Sequence, residues 1–447
     1  MNVEISSRSE LKQWQAERLK KLLAEILPGN RFWQTKFSAA GLKAADIQTV
    51  DDLRRLPFTT KAEILADQAA SPPYGTNLTY DVAHYSRLHQ TSGTTGTPMR
   101  WLDTPASWEW ILQTWRQLFS IMGLRRDDRL FFPFSFGPFL GFWAGFEGAN
   151  RLGNLCLAAG GMSSQARINL LLDNAATVVC CTPTYAVRLA ETAAEMEVPL
   201  ASSAVRAILV AGEPGGNIPA TRRKIETAWG ARVVDHWGMT EIGPLAIEAL
   251  DRPGGMYVIE TECIAEIIDP LTGQPVAEGY EGELVVTNLG RTGSPLIRYR
   301  TGDRVRAGQP TESTERTSPA VLRTAGQDPI RDLLLYLPGG ILGRIDDMLT
   351  IRGNNLYPAA LEDVIRQFPE VREFRIVLCT IKGMQHLRIE IEPAATLEPG
   401  AVESLTAQIS EIIKARWHFQ ADVQAAPPGS LPRFEMKARR LVREEPR

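Results

Sequence analysis

Hydrophobic positions with helical spacing open the chain. Ser7 and Glu10 have the spacing of a capping box, which marks the first turn of a helix. Hydrophobic residues then recur at helical intervals: Leu11, Trp14, Leu19, Leu22, Leu23 and Ile26. This pattern predicts a helix that ends near Pro28 and Gly29, because these two residue types stop helices.

Between about residue 85 and residue 245, short hydrophobic runs alternate with helix-length segments. The runs that predict strands are 128–132, 155–158, 177–180, 206–211 and 231–234, and the segments that predict helices include 164–174, 184–197 and 218–229. Strands that alternate with helices predict α/β sheets with crossover connections. From about 256 to 305 the pattern changes to short β runs joined by the turn sequence PLTGQP.

A further compact unit is predicted after Gly343. Its pattern is a strand at 345–351, a helix at 358–368, strands at 373–380 and 386–392, and a helix at 401–417. The helices carry hydrophobic stripes, formed by Leu361, Ile365 and Phe368 and by Val402, Leu405, Ile409 and Ile412. We therefore expect an α/β fold with two domains. A large N-terminal domain with several α/β subdomains and a β region spans 1–343, and a small α+β domain spans 344–447.

Composition narrows the class of protein. The 447 residues carry 49 Lys and Arg against 52 Asp and Glu, a net charge of −3, which argues against general nucleic-acid binding. The five cysteines show no CxxC spacing, so we expect a reducing compartment. The first ten residues carry no hydrophobic run, and the longest uncharged stretch, 130–146, holds two prolines and is shorter than the ~20 residues of a membrane-spanning helix. These features predict a cytoplasmic globular protein without a membrane segment.

Two motifs have the residue types of a nucleotide site. QTSGTTGTP, at 90–98, offers hydroxyl and backbone N–H groups to phosphate oxygens, although composition alone leaves a Ser/Thr-rich surface turn open. It does not match the Walker A pattern. DHWGMTEIGP, at 235–244, places Glu241 after a predicted strand, where a carboxylate suits Mg²⁺. Taken alone, a solvated glutamate is the simpler interpretation of Glu241.

Three further motifs lie towards the C-terminus. IRYRTGD, at 297–303, ends on Asp303, which could bind ribose hydroxyls or simply cap a turn. GRIDDMLTIRGNNLYP, at 343–358, lies on the expected domain boundary, where a hinge would be. LPRFEMKARR, at 431–440, has one lysine among three arginines and by charge alone would be a solvated tail.

In this order and spacing, the five motifs resemble those of the adenylate-forming superfamily of acyl-CoA synthetases, adenylation domains and luciferases. The phenylacetate–CoA ligase branch is most similar, and the resemblance runs from about Arg31 to Arg440. It implies an AMP-forming ligase that joins a carboxylic acid to AMP from Mg·ATP, releases pyrophosphate, and then transfers the acyl group to coenzyme A. It also implies that the small C-terminal domain is mobile and changes position between the two steps.

The resemblance implies a role for particular residues. Lys437 matches the catalytic lysine and Glu241 the glutamate associated with Mg²⁺. The remaining ATP-binding residues would be Thr91, Ser92, Gly93, Thr94, Thr95, Gly96, Glu213, Pro214, Asp235, His236, Trp237, Thr240, Asp303 and Arg344. Asp346 matches the hinge, and Arg352 and Gly353 lie in the loop that lines the coenzyme A tunnel.

Three positions depart from the family pattern. Thr97 stands where most of these loops carry a lysine, so one positive charge near pyrophosphate is missing. Trp237 stands where a tyrosine or another aromatic residue is usual, a change that preserves stacking, and Met436 replaces the usual glycine before the catalytic lysine. Some relatives carry a cysteine-rich metal-binding segment; because 306–331 contains no cysteine, we expect no structural zinc.

The aromatic segment 131–146 lies where the family binds its acid. With residues of two nearby loops, the resemblance gives an acyl pocket of Phe134, Phe136, Gly137, Phe142, Ala211, Gly212, Gly238, Met239, Gly243 and Pro244. Its glycines would leave room for a planar ring, which favours an aryl or arylacetic acid, although plain core packing gives the same pattern. His236 could contact the acid or could be hydrogen-bonded within a turn.

Several alternatives stay open at this point. The acid could be a small branched or hydroxylated aliphatic one, and the acceptor could be the thiol of a carrier protein. A nucleotide-binding relative without catalytic activity is a further alternative, motivated by Thr97. A homodimer is expected by resemblance only, and no nucleic-acid partner is expected.

Overall fold

The computed structural model describes residues 5–91, 97–308, 330–351, 354–381, 384–434 and 437–444. In these residues the helices are α1 (Arg8–Ile26), α2 (Arg31–Ala39), α3 (Lys61–Ala70), α4 (Pro105–Met122), α5 (Gly141–Arg151), α6 (Ser164–Asp173), α7 (Pro183–Glu195), α8 (Pro219–Trp229), α9 (Pro358–Ile365) and α10 (Pro399–Trp417).

The strands of the first half are β1 (Arg87–Gln90), β2 (Arg100–Asp103), β3 (Arg129–Phe132), β4 (Leu155–Ala158), β5 (Val178–Cys181), β6 (Ala207–Val210), β7 (Arg232–Met239), β8 (Gly243–Ala249) and β9 (Arg252–Val258). They continue with β10 (Cys263–Ile268), β11 (Glu281–Asn288), β12 (Tyr299–Arg306), β13 (Tyr336–Pro338), β14 (Gly343–Arg344), β15 (Leu349–Ile351) and β16 (Asn354–Leu356). The last four are β17 (Val371–Ile381), β18 (Met384–Pro393), β19 (Asp422–Ala425) and β20 (Leu441–Arg443). The alternation of strands and helices predicted for 85–245 is confirmed.

The chain divides into two compact units that interleave along the sequence. One contains the residues up to 161 together with 176–180 and 234–342, and the other contains 162–175, 181–233 and the residues from 343 onwards. The predicted division into 1–343 and 344–447 follows the sequence order instead, and it stays a prediction.

The first unit is built around parallel and antiparallel strands. β3 pairs in parallel with β4 and with β5, while β7, β8, β9 and β13 pair antiparallel in that order. Helix α4 packs against β8 and α5. It begins at the side-chain cap of Thr104 and ends at Gly123, whose φ of +85° favours glycine. β10, β11 and β12 form the predicted β region, where β10 and β11 pair antiparallel.

The second unit combines α6, α7, β6 and α8 with the C-terminal elements. The sheet order there is β19-β18-β17-β20, with an antiparallel central pair and a parallel strand on either side. Helices α9 and α10 cover a core that includes Leu361, Ile365, Leu405 and Ile409. The predicted stripe on α10 is wrong at its last position: Ile412 is exposed and Ile413 is buried, because the buried residues recur every four positions.

Two smaller expectations need correction. Ser7 caps α1 as predicted, but the carboxylate of Glu10 accepts a hydrogen bond from the N–H of Ser6 at 2.7 Å, so the box is one residue wider. The strand predicted at 345–351 is limited to β15, since Arg344 and Asp346 join in a side-chain ion pair before it. The helix predicted to end near Pro28 and the mixed α/β architecture are otherwise confirmed, and the helix is Arg8–Ile26.

Candidate active site

The hydroxyl-rich loop is carried between β1 and β2. These strands pair antiparallel, with Arg87 opposite Asp103 and Gln90 opposite Arg100. The Thr91 N–H donates to the Met99 carbonyl at 3.0 Å, and the Met99 N–H donates to the Thr91 Oγ1 at 3.0 Å. Thr97 is exposed. Ser92, Gly93, Thr94, Thr95 and Gly96 lie outside the described residues, and their predicted contact with phosphate stays a prediction.

The second motif forms a hairpin of β7, a turn and β8. Asp235, His236 and Trp237 lie on β7 and are buried, and Thr240 and Glu241 form the turn. The strands approach so closely at Gly238 that an added Cβ would lie 2.7 Å from the Gly243 carbonyl oxygen. The predicted pocket residues Gly238, Met239, Gly243 and Pro244 all belong to this hairpin, where Gly238 pairs with Pro244 and Met239 with Gly243.

Glu241 is held by a buried arginine that the sequence motifs did not indicate. The Arg291 guanidinium donates to the backbone carbonyls of Thr240 at 2.6 Å and of Glu241 at 3.0 Å. The Tyr299 hydroxyl donates to the Glu241 Oε1 at 3.3 Å. Glu241 is only 2% exposed, and its Oε2 has no hydrogen-bond partner in the described part of the chain. The arginine therefore fixes the turn while the carboxylate keeps acceptor capacity.

Arg291 is itself fixed by Asp103 at the end of β2. Two bonds of 2.7 Å join the guanidinium to the carboxylate, and both side chains are 0% exposed. Burial is the largest influence and raises the pKa of Asp103, but the charge and hydrogen bonds of Arg291, together with those of His89, hold that pKa below its usual value. A planar two-bond pair of this kind is rigid. It links the end of β2 to the turn that carries Glu241.

Trp237 and Asp303 are joined directly. The Trp237 indole N–H donates to the Asp303 Oδ2 at 2.9 Å, and both residues are buried. The Asp303 N–H in turn donates to the Thr301 Oγ1 at 3.0 Å. The tryptophan at this position, which departs from the family pattern, therefore adds a hydrogen bond to the residue predicted to contact ribose.

His236 lies against the aromatic cluster of the predicted acyl pocket. Its ring is 4.6 Å from the ring of Trp115, which neighbours Phe142 at 6.3 Å, and Phe142 neighbours Phe134 at 5.5 Å. Phe136 lies 4.8 Å from Phe134. The Gly137 carbonyl accepts the Trp143 indole N–H at 3.0 Å. Trp115 was not predicted to belong here, because its position in the hydrophobic stripe of α4 is that of an ordinary core residue.

The His236 ring has a defined neutral form. The Ala246 carbonyl accepts from Nδ1 at 2.8 Å, which places the proton on Nδ1 and leaves the lone pair on Nε2. Burial lowers the pKa of His236 to about 4. Nε2 makes no hydrogen bond with any residue that the structure describes. The side chain is thus a neutral acceptor beside aromatic rings.

The second unit brings the C-terminal lysine to the loop after β6. A Cβ built on Gly212 would lie 3.4 Å from the Lys437 Cε, so the lysine side chain runs over the backbone of this glycine. The Glu213 Oε2 accepts the Ala438 N–H at 2.6 Å, across 225 residues of sequence. Ala211, Gly212, Glu213 and Pro214 therefore lie beside the lysine segment in this unit.

Matches to known proteins identify the family. The model of the AMP-binding enzyme family matches residues 48–291, and the model of the AMP-binding enzyme C-terminal domain matches 353–444. The chain belongs to the AMP-binding enzyme family. It is accordingly an enzyme, a ligase of the adenylate-forming kind, as the resemblance of the five motifs implied.

Curated relatives and solved structures of this family match over nearly the whole chain. The phenylacetate-coenzyme A ligase of Escherichia coli (strain K12) is 30% identical over 98% of this chain and 96% of its own length, and that of Pseudomonas putida is 28% identical over 98% and 94%. A crystal structure of 2-hydroxyisobutyryl-CoA ligase with 2-HIB-AMP in the postadenylation state is 26% identical, covers 99% of this chain and 91% of that one, and has a TM-score of 0.88. The same ligase with 2-HIB-AMP and CoA in the thioesterification state is 28% identical over 98% and 90%, with a TM-score of 0.70.

The structure describes only some of the remaining residues that the motifs predicted for the site. Arg344 and Asp346 form an ion pair, with the Arg344 Nε 2.8 Å from the Asp346 Oδ1. The predicted ribose contact and the predicted hinge residue therefore bind each other. Arg352, Gly353 and Met436 lie outside the described residues, as does most of the cysteine-free segment 306–331. The five cysteines all lie in described residues, and none of them forms a disulfide.

Among the described residues, no group of three or more His, Cys, Asp or Glu side chains has the arrangement of a metal site. The expected absence of structural zinc stays an expectation. No helix within these same ranges has the length and hydrophobicity to cross a bilayer.

Proposed function

We propose that this AMP-binding enzyme is an AMP-forming acid–CoA ligase. The observation that carries the proposal is the position of Lys437 over Gly212. The next residue, Ala438, donates its N–H to the carboxylate of Glu213. By charge alone the lysine segment would be a solvated tail, and a solvated tail has no reason to dock on this loop. The curated relatives along the whole chain, named phenylacetate-coenzyme A ligases, support the same reaction.

The proposed reaction has two steps. In the first, a carboxylate oxygen attacks the α-phosphorus of ATP, the bond to the β-phosphate oxygen breaks, and pyrophosphate leaves with the electron pair. The Lys437 ammonium stabilises the negative charge that develops on these oxygens, an effect with a scale of about 10²–10³ in rate for one well-placed donor. In the second step the sulfur of coenzyme A attacks the acyl carbon, AMP leaves, and the thiol proton passes to solvent.

Mg²⁺ fits the site around Glu241. This carboxylate is buried, its Oε2 is without a partner in the described residues, and the neighbouring Arg291 binds backbone oxygens and Asp103 rather than Glu241's side chain. A hard dication prefers such an oxygen ligand together with substrate phosphates. When bound, the ion would neutralise phosphate charge, and this chain's part is to hold Glu241 in a fixed position for it.

The acid that we propose is an aryl or arylacetic acid, such as phenylacetate or a substituted benzoate. The rings of Phe134, Phe136 and Phe142 lie within 4.8–5.5 Å of one another in neighbouring pairs, a spacing that suits edge-to-face contact with a further aromatic ring. The relatives named for phenylacetate support this class.

A hydroxylated acid is the second candidate, and His236 is the observation that favours it. A neutral imidazole with its lone pair on Nε2 can accept a hydrogen bond from a hydroxyl group of the acid. The similarity to 2-hydroxyisobutyryl-CoA ligase agrees with a small branched hydroxy acid. An ortho-hydroxybenzoate would satisfy both the aromatic rings and His236.

Acid-dependent release of pyrophosphate from ATP tests these proposals. The panel pairs acids that differ by one hydroxyl: benzoate with 2-hydroxybenzoate, and isobutyrate with 2-hydroxyisobutyrate, with phenylacetate beside them. A preference for the hydroxylated member that disappears in His236→Leu would support the second candidate, and equal use of both members would eliminate it. No release with any carboxylate would overturn the proposed acid–CoA ligase activity.

The thiol acceptor needs its own measurement. The adenylating enzyme is supplied either with coenzyme A or with a carrier protein that bears the pantetheine arm. Thioester formed on the carrier but not on coenzyme A would overturn the proposed acceptor. A cytoplasmic location, a homodimer and the absence of a nucleic-acid partner stay predictions.

A further inference from the structure

The segment after Lys437 is held at two points. The Ala438 N–H donates to the Glu213 Oε2 at 2.6 Å, and Arg440 binds Glu373 and Thr184. Lys437 itself is exposed. The position of the lysine therefore depends on its neighbours rather than on burial of its own side chain.

Glu213 is placed to bind two parts of the second unit at once. Its Oε1 accepts the Thr184 N–H at 3.0 Å in the first turn of α7, while its Oε2 accepts the Ala438 N–H. Burial raises the pKa of Glu213, opposed by these hydrogen bonds and by the positive charge of Arg440. A carboxylate with N–H donors on both oxygens is a strong acceptor with a fixed orientation.

Arg440 is anchored on the C-terminal sheet. Its Nε and Nη2 lie 2.8 and 3.2 Å from the two carboxylate oxygens of Glu373 on β17, and its side chain is only 11% exposed. The third nitrogen, Nη1, reaches the Thr184 Oγ1 at 3.3 Å. The bond to Glu373 stays within residues 343–444, whereas the bond to Thr184 joins them to residues 181–233.

We propose that Glu213 and Thr184 form a latch for the lysine segment, which they hold through the Ala438 N–H and the Arg440 guanidinium. The latch is closed for adenylation and opens before thioester formation. This inference rests on the proposed function, because it assigns positioning residues to the same reaction. Glu213 thereby has a role besides its predicted contact with adenine.

Such a latch consists of contacts that can be broken at moderate cost. The Ala438 donor is a neutral N–H on a charged acceptor, a class of hydrogen bond whose loss corresponds to about ten- to a hundredfold in an equilibrium. Arg440 keeps its Glu373 partner when it leaves Thr184, and Glu213 keeps the Thr184 N–H, so neither charged side chain loses all of its partners. The lysine segment can then leave without disrupting the core of the C-terminal sheet.

The test separates the two half-reactions. Adenylation is followed by acid-dependent exchange of pyrophosphate into ATP, and thioester formation by reaction of a synthetic acyl-adenylate with coenzyme A. Thr184→Val removes the Oγ1 acceptor and keeps the side-chain shape. We expect this variant to lower kcat for adenylation about tenfold, to leave KM for ATP unchanged, and to leave the second half-reaction equal or faster. Glu213→Ala should show the same division between half-reactions, with any change in KM for ATP reporting its predicted adenine contact.

A second readout does not depend on turnover. Hydrogen exchange of the amide groups of 437–440 should accelerate in Glu213→Ala and in Thr184→Val, and Arg440→Lys should retain more protection than Arg440→Ala. Equal losses in both half-reactions, or unchanged exchange in 437–440, would overturn the latch. Absence of acid-dependent exchange in the unmodified enzyme would instead overturn the proposed function, so the two failures are distinguishable.

Discussion

Glu241 and Lys437 are held in opposite ways. The glutamate lies in a tight turn whose backbone binds a fully buried arginine, and that arginine is paired with a fully buried aspartate. The lysine is exposed, and its segment is held by an N–H on Glu213 and by Arg440. In the proposed reaction the first group must stay in place throughout, and the second must leave between the steps. The difference teaches that fully buried charge pairs suit a fixed group and part-buried hydrogen bonds suit a releasable one.

The largest expected effect is on the rate of adenylation when Lys437, the releasable group, is replaced. Lys437→Ala should lower the rate of adenylation at least about 10²–10³-fold, because one preorganised cation at the phosphate oxygens is removed. Its effect on thioester formation from a synthetic acyl-adenylate should be much smaller. Lys414→Ala is the control, since this lysine on α10 is exposed and remote in sequence from the motifs. Equal damage to both half-reactions would contradict the comparison.

Asp103→Asn tests how the turn that carries the fixed group, Glu241, is held in place. This change leaves Arg291 charged and buried without its carboxylate, a loss that typically lowers the free energy of unfolding by about 3–5 kcal/mol. Chemical denaturation of the variant measures this loss. Glu109→Gln breaks the exposed pair with Arg151 and should cost at most about 1 kcal/mol. If the two variants were equally stable, the turn around Glu241 would not depend on the buried pair.

The buried His236 is expected to make the stability of the folded protein depend on pH. Its pKa in the native protein is about 4, against 6.5 for an unperturbed histidine, so between these values the unfolded chain is protonated and the native chain is not. Stability contributed by the neutral ring is complete above pH 6.5 and is lost as the pH falls towards 4, by about 2–3 kcal/mol at pH 4.5. His236→Gln, which can still donate to Ala246, should lose less stability between pH 7.5 and pH 4.5. An identical loss in both proteins would show that His236 does not contribute.

The smallest expected effect concerns the bond from Trp237 to Asp303. Trp237→Phe preserves an aromatic face and removes the indole N–H, so Asp303 loses one donor. We expect KM for ATP to rise about tenfold with little change in kcat, on the scale of one hydrogen bond to a charged group. Trp33→Phe is the matched control, because the Trp33 N–H binds the Pro295 carbonyl in a different core. A rise in KM for both variants would indicate a general loss of stability instead.

Much of the fold followed from local patterns. The hydrophobic runs at 128–132, 155–158, 177–180 and 206–211 correspond to β3, β4, β5 and β6 with shifts of at most one residue, because short hydrophobic runs between helix-length segments are typical of buried strands. The hydrophobic stripe predicted on α10 is wrong at its last position, since Ile412 and Ile413 are adjacent and only packing decides which one faces the core. The motifs identified the hydroxyl loop, Glu241, Asp303 and Lys437 because these residue types occur together at characteristic spacing.

The supporting residues could not be found in the same way. Asp103 and Arg291 are 188 residues apart, and neither belongs to a recognised motif. Trp115 has the spacing of a core residue, and its contact with His236 depends on the packing of α4 against β8. Glu373 and Arg440 would each pass for an ordinary charged residue. No local signal marks such pairs, because each side chain acquires its role from a partner far along the chain.

The sequence by itself determined the class of this protein: an α/β enzyme of the AMP-binding family, with its motifs in order and a near-neutral charge. Only the tertiary structure decided which side chains hold the motif residues in place. Arg291 binds the turn of Glu241, Trp237 donates to Asp303, and Glu213 accepts from the segment of Lys437. The physical reason is that residue type and spacing are local properties. Burial, hydrogen-bond geometry and charge pairing are instead set when distant segments pack together.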